Sequence, residues 1–436
     1  MKHCRVSIQA GLAGASLLVA LALTPATTRA TEGTPEPGPR PVCDAGSLEQ
    51  DVRSLASDGM EGRDLGSEGL ERALRLVARR FKSLGLRPAF PREEQSGGLL
   101  DGYFQDFAIE GHPSSANVIG ILPGDSTVTP QAVVVGAHAD HLGRDPSLEG
   151  DQVFNGADDN ASGVAALLAI ARMLSEAPVR EHQRAVVFVV FSGEESGCLG
   201  SRYYTEHPVV PLDQVIAMIN LDTVGRLRDR QLILFGTGTA REFPATLGGV
   251  NQVFGLSLTM REEGAGASDQ VSFFHHGIPV LHFFTGPHAD YHRVSDGADR
   301  VDYAGLATVT DFAGELVRYL RYRSRPLTFV ATGKEQAAKM EQMARGGERR
   351  VSLGFMPGFA STSGGVKVGM VTPGGAAATA GLQAGDVITA ISGESVDTLV
   401  DYTAVLRGHA PGDRVTLTVR RAGAMLRIEA TVQERK

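Results

Sequence analysis

Ala185-Val186-Val187-Phe188-Val189-Val190-Phe191 contains no polar residue and runs directly into Ser192-Gly193-Glu194-Glu195. A run this apolar, rich in β-branched and aromatic residues, predicts a strand buried on both faces, as in the parallel part of an α/β sheet. Ala132-Val133-Val134-Val135-Gly136-Ala137, Val215 to Leu221 and Pro279 to Phe284 are runs of the same kind. Ser162 to Leu174, between the first two in chain order, reads as a strongly apolar helix, and Tyr303 to Tyr322 as an amphipathic one. Leu48, Val52 and Leu55, then the stripe from Leu70 to Leu84, predict two earlier helices. Strands alternating with helices predict a three-layer α/β/α architecture around a mostly parallel sheet.

Acids and histidines follow these runs. His138-Ala139-Asp140 follows 132–137, Glu194-Glu195 follows Phe191, Asp222 follows Leu221, and Tyr291-His292 comes after Phe284. Asp158-Asp159-Asn160 precedes the helix from Ser162. Open α/β sheets bind ligands outside the carboxyl ends of their strands, so shared position argues for one site more strongly than the number of acids does. Imidazoles and carboxylates are zinc ligands. Residues two apart on a strand share a face. Asp140 is therefore expected to accept a hydrogen bond from the far ring nitrogen of His138, as carboxylates that orient zinc-binding histidines do. Each segment alone also has an ordinary reading: a surface His-Asp pair, a helix cap at 158–160, a solvated turn at 192–197. Two adjacent glutamates beside a buried strand are costly unless paired or coordinated, and a metal ligand next to a general base accounts for both. The chain has no His-Glu-x-x-His motif and no Gly-x-Ser-x-Gly elbow. Gly236-Thr237-Gly238 is too short for a nucleotide loop, and His275, His276, His282 and His288 read as structural.

Length and charge frame these readings. A chain of 436 residues has room for two or three domains. Lys2, His3 and Arg5, the apolar run Gly11 to Leu23 and Thr28-Arg29-Ala30 predict a secretory signal peptide over 1–30. The apolar run is shorter than the ~20 residues of a spanning helix, and no later segment is long and apolar enough to span a membrane, so the mature chain is expected to be exported, periplasmic or extracellular. Loss of Lys2, Arg5 and Arg29 takes the formal charge from −8 to −11, a poor match for nucleic acid or anionic membranes. Cys43 and Cys198 remain, either as a disulfide or as two free thiols. Residues 31–43 read as a flexible lead-in, 44–325 as the α/β domain, 326–350 as a linker and 351–436 as a small β-rich module.

The set His138-x-Asp140, Gly156-Ala157-Asp158-Asp159-Asn160-Ala161-Ser162-Gly163, Ser192-Gly193-Glu194-Glu195, Asn220-Leu221-Asp222 and Asp290-Tyr291-His292 resembles the M28 di-zinc aminopeptidases. Leu55-Ala56-Ser57-Asp58-Gly59-Met60-Glu61-Gly62-Arg63 extends the likeness toward the start of the domain. The resemblance implies two Zn2+ per chain. His138 and Asp222 would hold one, Glu195 and His292 the other, and Asp159 would bridge both. It further implies a cis Asp159–Asn160 peptide, Glu194 as general base, Asp140 as orienter of His138, and Tyr291 as a stabiliser of the tetrahedral intermediate. The substrates implied are peptides with a free N-terminus. The related glutaminyl cyclases use one zinc, and a full two-metal set argues against that activity. Two rivals are a carboxypeptidase on the same site and a binding protein with a vestigial site.

Ser352-Leu353-Gly354-Phe355 resembles the carboxylate-binding loop of PDZ domains, and Gly381-Leu382-Gln383-Ala384-Gly385-Asp386-Val387-Ile388 the core of bacterial PDZ modules. Ser352 stands where the loop usually begins with glycine. The resemblance implies that the backbone of Leu353, Gly354 and Phe355 receives a peptide C-terminus, or an extended peptide added as a strand beside a helix near Leu399 to Arg407.

Overall fold

The computed structural model describes residues 43–90, 100–125, 130–178, 180–264, 268–331, 350–357, 364–372, 374–397 and 399–434. The leader over 1–30, the lead-in up to residue 42 and linker residues 332–349 lie outside the described residues.

Among the described residues, nine strands form the large sheet: β1 (Arg87–Pro88), β2 (Phe104–Phe107), β3 (Ser115–Leu122), β4 (Ala132–His138), β5 (Ala185–Phe191), β6 (Val215–Leu221), β7 (Gln231–Phe235), β8 (Ser257–Met260) and β9 (Val280–Phe284). Their order is β1-β3-β5-β4-β6-β9-β7-β8, with β2 also paired to β3. The four central strands, β5-β4-β6-β9, are parallel. β3 joins β5 and β7 joins β9 antiparallel, and β8 runs parallel to β7. The parallel character is thus concentrated at the centre, where every carboxyl end opens on the same edge.

Side-chain alternation divides the central strands between two cores. Val133, Val135 and Ala137 of β4 and Val186, Phe188 and Val190 of β5 join one cluster, with residues of α1 (Ala45–Leu55), α2 (Glu68–Ser83), α3 (Gly163–Ser175), α5 (Phe243–Phe254) and α7 (Tyr303–Tyr322). Ala132 and Val134 of β4 and Val187, Val189 and Phe191 of β5 face the other way, with residues of α4 (Leu199–Glu206) and α6 (Gln270–His275). Period-two alternation with both faces covered explains why these runs hold no polar residue. Fully burying a Val or Phe side chain is worth about 1.5–3 kcal/mol, so such runs anchor the sheet.

Gly136 and Gly163 mark close approaches. A Cβ on Gly136 would stand 2.6 Å from the Phe191 ring and 2.7 Å from the Met218 side chain. One on Gly163 would stand 2.2 Å from the Leu221 carbonyl. The start of α3 therefore seats directly against the end of β6, which brings the 158–160 loop to Asp222.

The C-terminal module has its own core, including Val351, Leu353, Ile388, Tyr402, Leu406, Val415, Leu417 and Val419. Its six-stranded sheet is built from Phe355–Pro357, Val366–Val371, Val387–Ile391, Glu394–Ser395, Arg414–Arg421 and Ala424–Thr431, with Phe355–Pro357 at one edge. Val351–Ser352 pairs separately with Gln433–Glu434. Asp386 accepts two 2.7 Å hydrogen bonds from the Arg421 guanidinium and one of 2.8 Å from the Gln383 N–H, which fixes the turn of the 381–388 motif. No helix among the described residues is long and apolar enough to cross a membrane.

Candidate metal centre

His138 is the last residue of β4, and Asp222 directly follows β6. The loop that carries Asp159 is stitched between them. The Asn160 side-chain amide donates to the Leu221 carbonyl at 3.0 Å, and its oxygen accepts the N–H groups of Gly163 and Thr223 at 3.0 and 3.2 Å. Asn160 thus takes the capping role that the acids beside it do not fill. The Asp159–Asn160 peptide is cis. Asp158 turns away from the cluster: one oxygen accepts the Gly225 N–H at 2.5 Å and the other lies 3.1 Å from His288 Nε2.

Asp159 faces two groups of donors. Its Oδ1 is 3.4 Å from His138 Nε2, which is also 3.5 Å from Asp222 Oδ1. Its Oδ2 is 3.0 Å from His292 Nε2, which is 3.3 Å from Glu195 Oε2. These atoms crowd together without bonding one another: Asp159 Oδ2 and His292 Nε2 are buried and have no hydrogen-bond partner. Buried polar atoms are normally paired. Convergent acceptor atoms left unpaired are what a cation would occupy, and imidazole nitrogen with carboxylate oxygen is the donor chemistry of zinc. The residues therefore fit the implied metal. Ligand atoms of His138, Asp159 and Asp222 lie within 4.8 Å of one another, as do those of His141, Asp159 and Glu195.

The structure assigns Asp140 differently from the sequence expectation. His138 Nδ1 sits 3.1 Å from the main-chain carbonyl of Asp140, and the carboxylate is farther off at 3.8 Å. That carboxylate instead accepts the N–H groups of Glu194 and Glu195, both at 3.1 Å. The physical reason is that β4 ends at His138, so strand alternation does not extend to residue 140. Asp140 ties the end of β4 to the Glu194-Glu195 turn after β5.

His141, Asp296 and Arg226 are among the groups at the site that escaped the sequence reading. His141 Nδ1 lies 2.9 Å from Glu195 Oε1 in a hydrogen bond, which holds one Glu195 oxygen and leaves the other toward His292. Its position one residue after Asp140 was the available signal. Asp296 is fully buried, and its Oδ2 accepts the N–H groups of Asp158 and Asp159 at 2.9 and 3.1 Å. Arg226 bridges Asp296 Oδ1 at 3.1 Å and Asp290 at 3.2 Å, joining the Asp159 loop to the Tyr291-His292 loop. No local spacing in the sequence pointed to either. Tyr291 stacks on His292 with ring centroids 3.9 Å apart.

Electrostatics separates the two glutamates. Burial pushes Glu194 well above the usual carboxylate range, and the neighbouring Glu195 and Asp222 charges add to this against the pull of His138. Burial also opposes charge on Glu195, but His292 and His141 together outweigh it and hold Glu195 below that range. Asp159 is likewise buried, yet His138 and His292 keep it well below its ordinary value. Cys43 and Cys198 are free thiols, and Cys198 Sγ lies 3.9 Å from Glu194 Oε1. His282 Nε2 stands 3.9 Å from Asp222 Oδ2.

In the C-terminal module, Leu353 is buried and its carbonyl accepts the Ala377 N–H at 2.6 Å. The Gly354 N–H donates to the Ser352 hydroxyl at 3.0 Å, so the departure from glycine at 352 occupies one donor of the expected carboxylate loop. Phe355 packs edge-on against Tyr402, ring centroids 5.4 Å apart, on the helix Leu399–Arg407.

Two candidate ligand clusters at the carboxyl ends of the parallel strands mark this as an α/β domain fitted to bind metal. Residues 117–317 match the model of peptidase family M28, and residues 351–432 that of a PDZ domain. The chain carries an M28 peptidase domain followed by a PDZ domain. Aminopeptidase YwaD of Bacillus subtilis is 29% identical over 243 residues, 52% of this chain and 49% of its own length. A probable leucine aminopeptidase of Arthroderma otae is 30% identical over 173 residues, 38% of this chain and 45% of its own. The chain spans about half the length of the curated relatives it matches. Among solved structures, BSAP, a zinc aminopeptidase from Bacillus subtilis, aligns with a TM-score of 0.51 at 18% identity, covering 64% of this chain and 96% of its own. A glutaminyl cyclase of Porphyromonas gingivalis aligns with a TM-score of 0.51 at 21% identity, covering 63% and 98%. The two likenesses establish the fold alone, and do so equally for peptidase and cyclase.

Replacing Asp296 by Ala strands two buried N–H groups and leaves the Arg226 guanidinium with Asp290 as its one carboxylate partner among the described residues. Breaking a buried charged network of this kind costs roughly 3–5 kcal/mol. Thermal unfolding of Asp296→Ala is expected to show a loss of that order, with zinc affinity reduced about 10–100-fold. Wild-type stability and affinity would contradict the brace.

Proposed function

We propose that this chain is an exported zinc-dependent aminopeptidase with Glu194 as its general base. The observation that carries the reading is the single carboxylate of Asp159, whose two oxygens face separate imidazole–carboxylate groups. His138 and Asp222 would hold one zinc, Glu195 and His292 the other, and Asp159 both. A zinc pair bound there would supply a water with its pKa lowered to ~7 and a Lewis acid for the peptide carbonyl.

The chain's own residues carry the proton and the charge. Glu194, whose pKa burial raises, takes the proton of the attacking water and passes it to the leaving amine. Asp140 fixes the backbone from which Glu194 projects. Burial, together with the Asp159 and Glu195 charges, pushes the Tyr291 phenol well above its ordinary pKa. Its hydroxyl therefore keeps its proton and donates to the carbonyl oxygen as negative charge grows there.

A free N-terminal amine can sit near a metal and the nearby acids, which would select cleavage at the amino end of the substrate. Asp159, Glu194, Glu195 and Asp222 gather acidity there. Two buried arginines at the site are committed: Arg226 to Asp290 and Asp296, and Arg63 to main-chain carbonyls. A carboxypeptidase needs a cation to receive its substrate's terminus, and neither of these two is free to serve. The PDZ module is read as binding an extended peptide at the strand edge Phe355–Pro357.

Export rests on the basic and apolar pattern over 1–30, and a secreted form beginning at Thr31 is the expected mass-spectrometric result; retention of residues 1–30 in that form would contradict it. The metal-loaded mature chain should hydrolyse aminoacyl-nitroanilides and spare the N-acetylated analogues, with a chelator abolishing turnover and zinc restoring it. Glu194→Gln should keep its metal and lose roughly 10²–10⁴ in kcat. Cleavage of N-blocked substrates alone, or a full rate in Glu194→Gln, would refute the reading.

A further inference from the structure

Arg63 lies beneath the ligand loops and is 1% exposed. Its Nε donates to the Ala139 carbonyl at 2.7 Å. Nη1 donates to the carbonyls of Leu55 at 2.6 Å and Asn155 at 2.8 Å, and Nη2 to that of Gly156 at 2.9 Å. Four bonds thus reach three chain segments: the end of α1, the turn that follows His138, and the start of the loop that carries Asp159. The backbone reinforces the same junction, since the His141 N–H donates to the Arg63 carbonyl at 3.0 Å and the Gly143 N–H to the Gly62 carbonyl at 2.9 Å.

The chemistry of this grip is particular to arginine. A guanidinium presents five donors in one rigid plane, whereas an ammonium presents three about a point. Among the described residues no carboxylate pairs with Arg63, although Asp159, Asp140, Asp296 and Glu195 lie within electrostatic range. Burial lowers its pKa to about 10, which leaves it charged at neutral pH. An unpaired buried cation is costly unless its hydrogen bonds are satisfied, and here main-chain carbonyls satisfy them. Ala139 lies between His138 and Asp140, and Gly156 lies three residues before Asp159. The separation of those two carbonyls across the guanidinium therefore sets how far His138 and Asp159 stand apart.

We propose that Arg63 is a positioning residue for the metal centre: by gripping the Ala139 and Gly156 carbonyls together, it fixes the spacing of the His138 and Asp159 ligands and so the metal affinity of the site. The inference rests on the metal reading above, and its test reads metal binding rather than peptide hydrolysis. Full-length Arg63→Met and Arg63→Lys chains, stripped of metal, are titrated with Co(II) against a chelator, and the visible absorption of the Co(II) form is recorded. Both measurements are made well below each variant's unfolding midpoint, so that lost stability alone does not move them. Arg63→Met should bind Co(II) at least about tenfold more weakly, the scale expected when a group that orients ligands is lost. Arg63→Lys keeps the charge and loses the fork, so it should fold and recover only part of the affinity, with a Co(II) spectrum altered from wild type. Should Arg63→Met fail to fold, Arg63→Lys decides alone. Wild-type affinity together with a wild-type Co(II) spectrum in Arg63→Lys would overturn the positioning role. A wild-type chain that takes up no Co(II) would instead overturn the metal reading, and this inference with it.

Discussion

The Asp159 carboxylate, buried with each oxygen turned to a different imidazole, is the constraint on which the rest of the site depends. A carboxylate that serves two groups at once has little freedom of rotation, so its backbone must be held from several sides. Asn160 ties it to the end of β6, Asp296 receives its N–H together with that of Asp158, and Gly163 lets α3 approach the Leu221 carbonyl. The parallel centre of the sheet gives these contacts a common place, because β4, β5, β6 and β9 all end on one edge.

Collecting so many acids there has an electrostatic consequence. Asp140, Asp159, Glu194, Glu195 and Asp222 sit close together with limited access to water, and like charges in such surroundings oppose ionisation. The molecule resolves this unevenly. Asp140 is anchored on two backbone N–H groups although burial still raises its pKa, Asp159 and Glu195 are held ionised by imidazoles, and burial lifts Glu194 well above the usual range. On the proposed reading, one fold thereby separates ligand from base among neighbours of the same kind.

The core of the fold was legible because strands buried on both faces leave unbroken apolar text. The runs at 185–191 and 215–221 coincide with β5 and β6, and the amphipathic period of 303–322 with α7. β7 and β8 were not legible, since their burial is mixed and their patterns short. Among site residues, those placed by strand ends were visible as a set. His141, Arg63, Arg226 and Asp296 were not recognised as site residues because they act mainly across long sequence separations, Arg63 and Asp296 largely through backbone groups, which leave no periodic trace. Asp140 shows the limit of reasoning by strand alternation: its carboxylate serves the glutamate turn because the strand has ended before it.

On the proposed reading, Asp159 is shared between two metal positions. Zinc titration of the metal-free wild-type chain and of Asp159→Ala, followed by elemental analysis after gel filtration, tests it most directly. Two tightly bound zinc ions are expected in the wild type and at most one, weakly held, in Asp159→Ala. Two zinc ions retained by Asp159→Ala at wild-type affinity would contradict it.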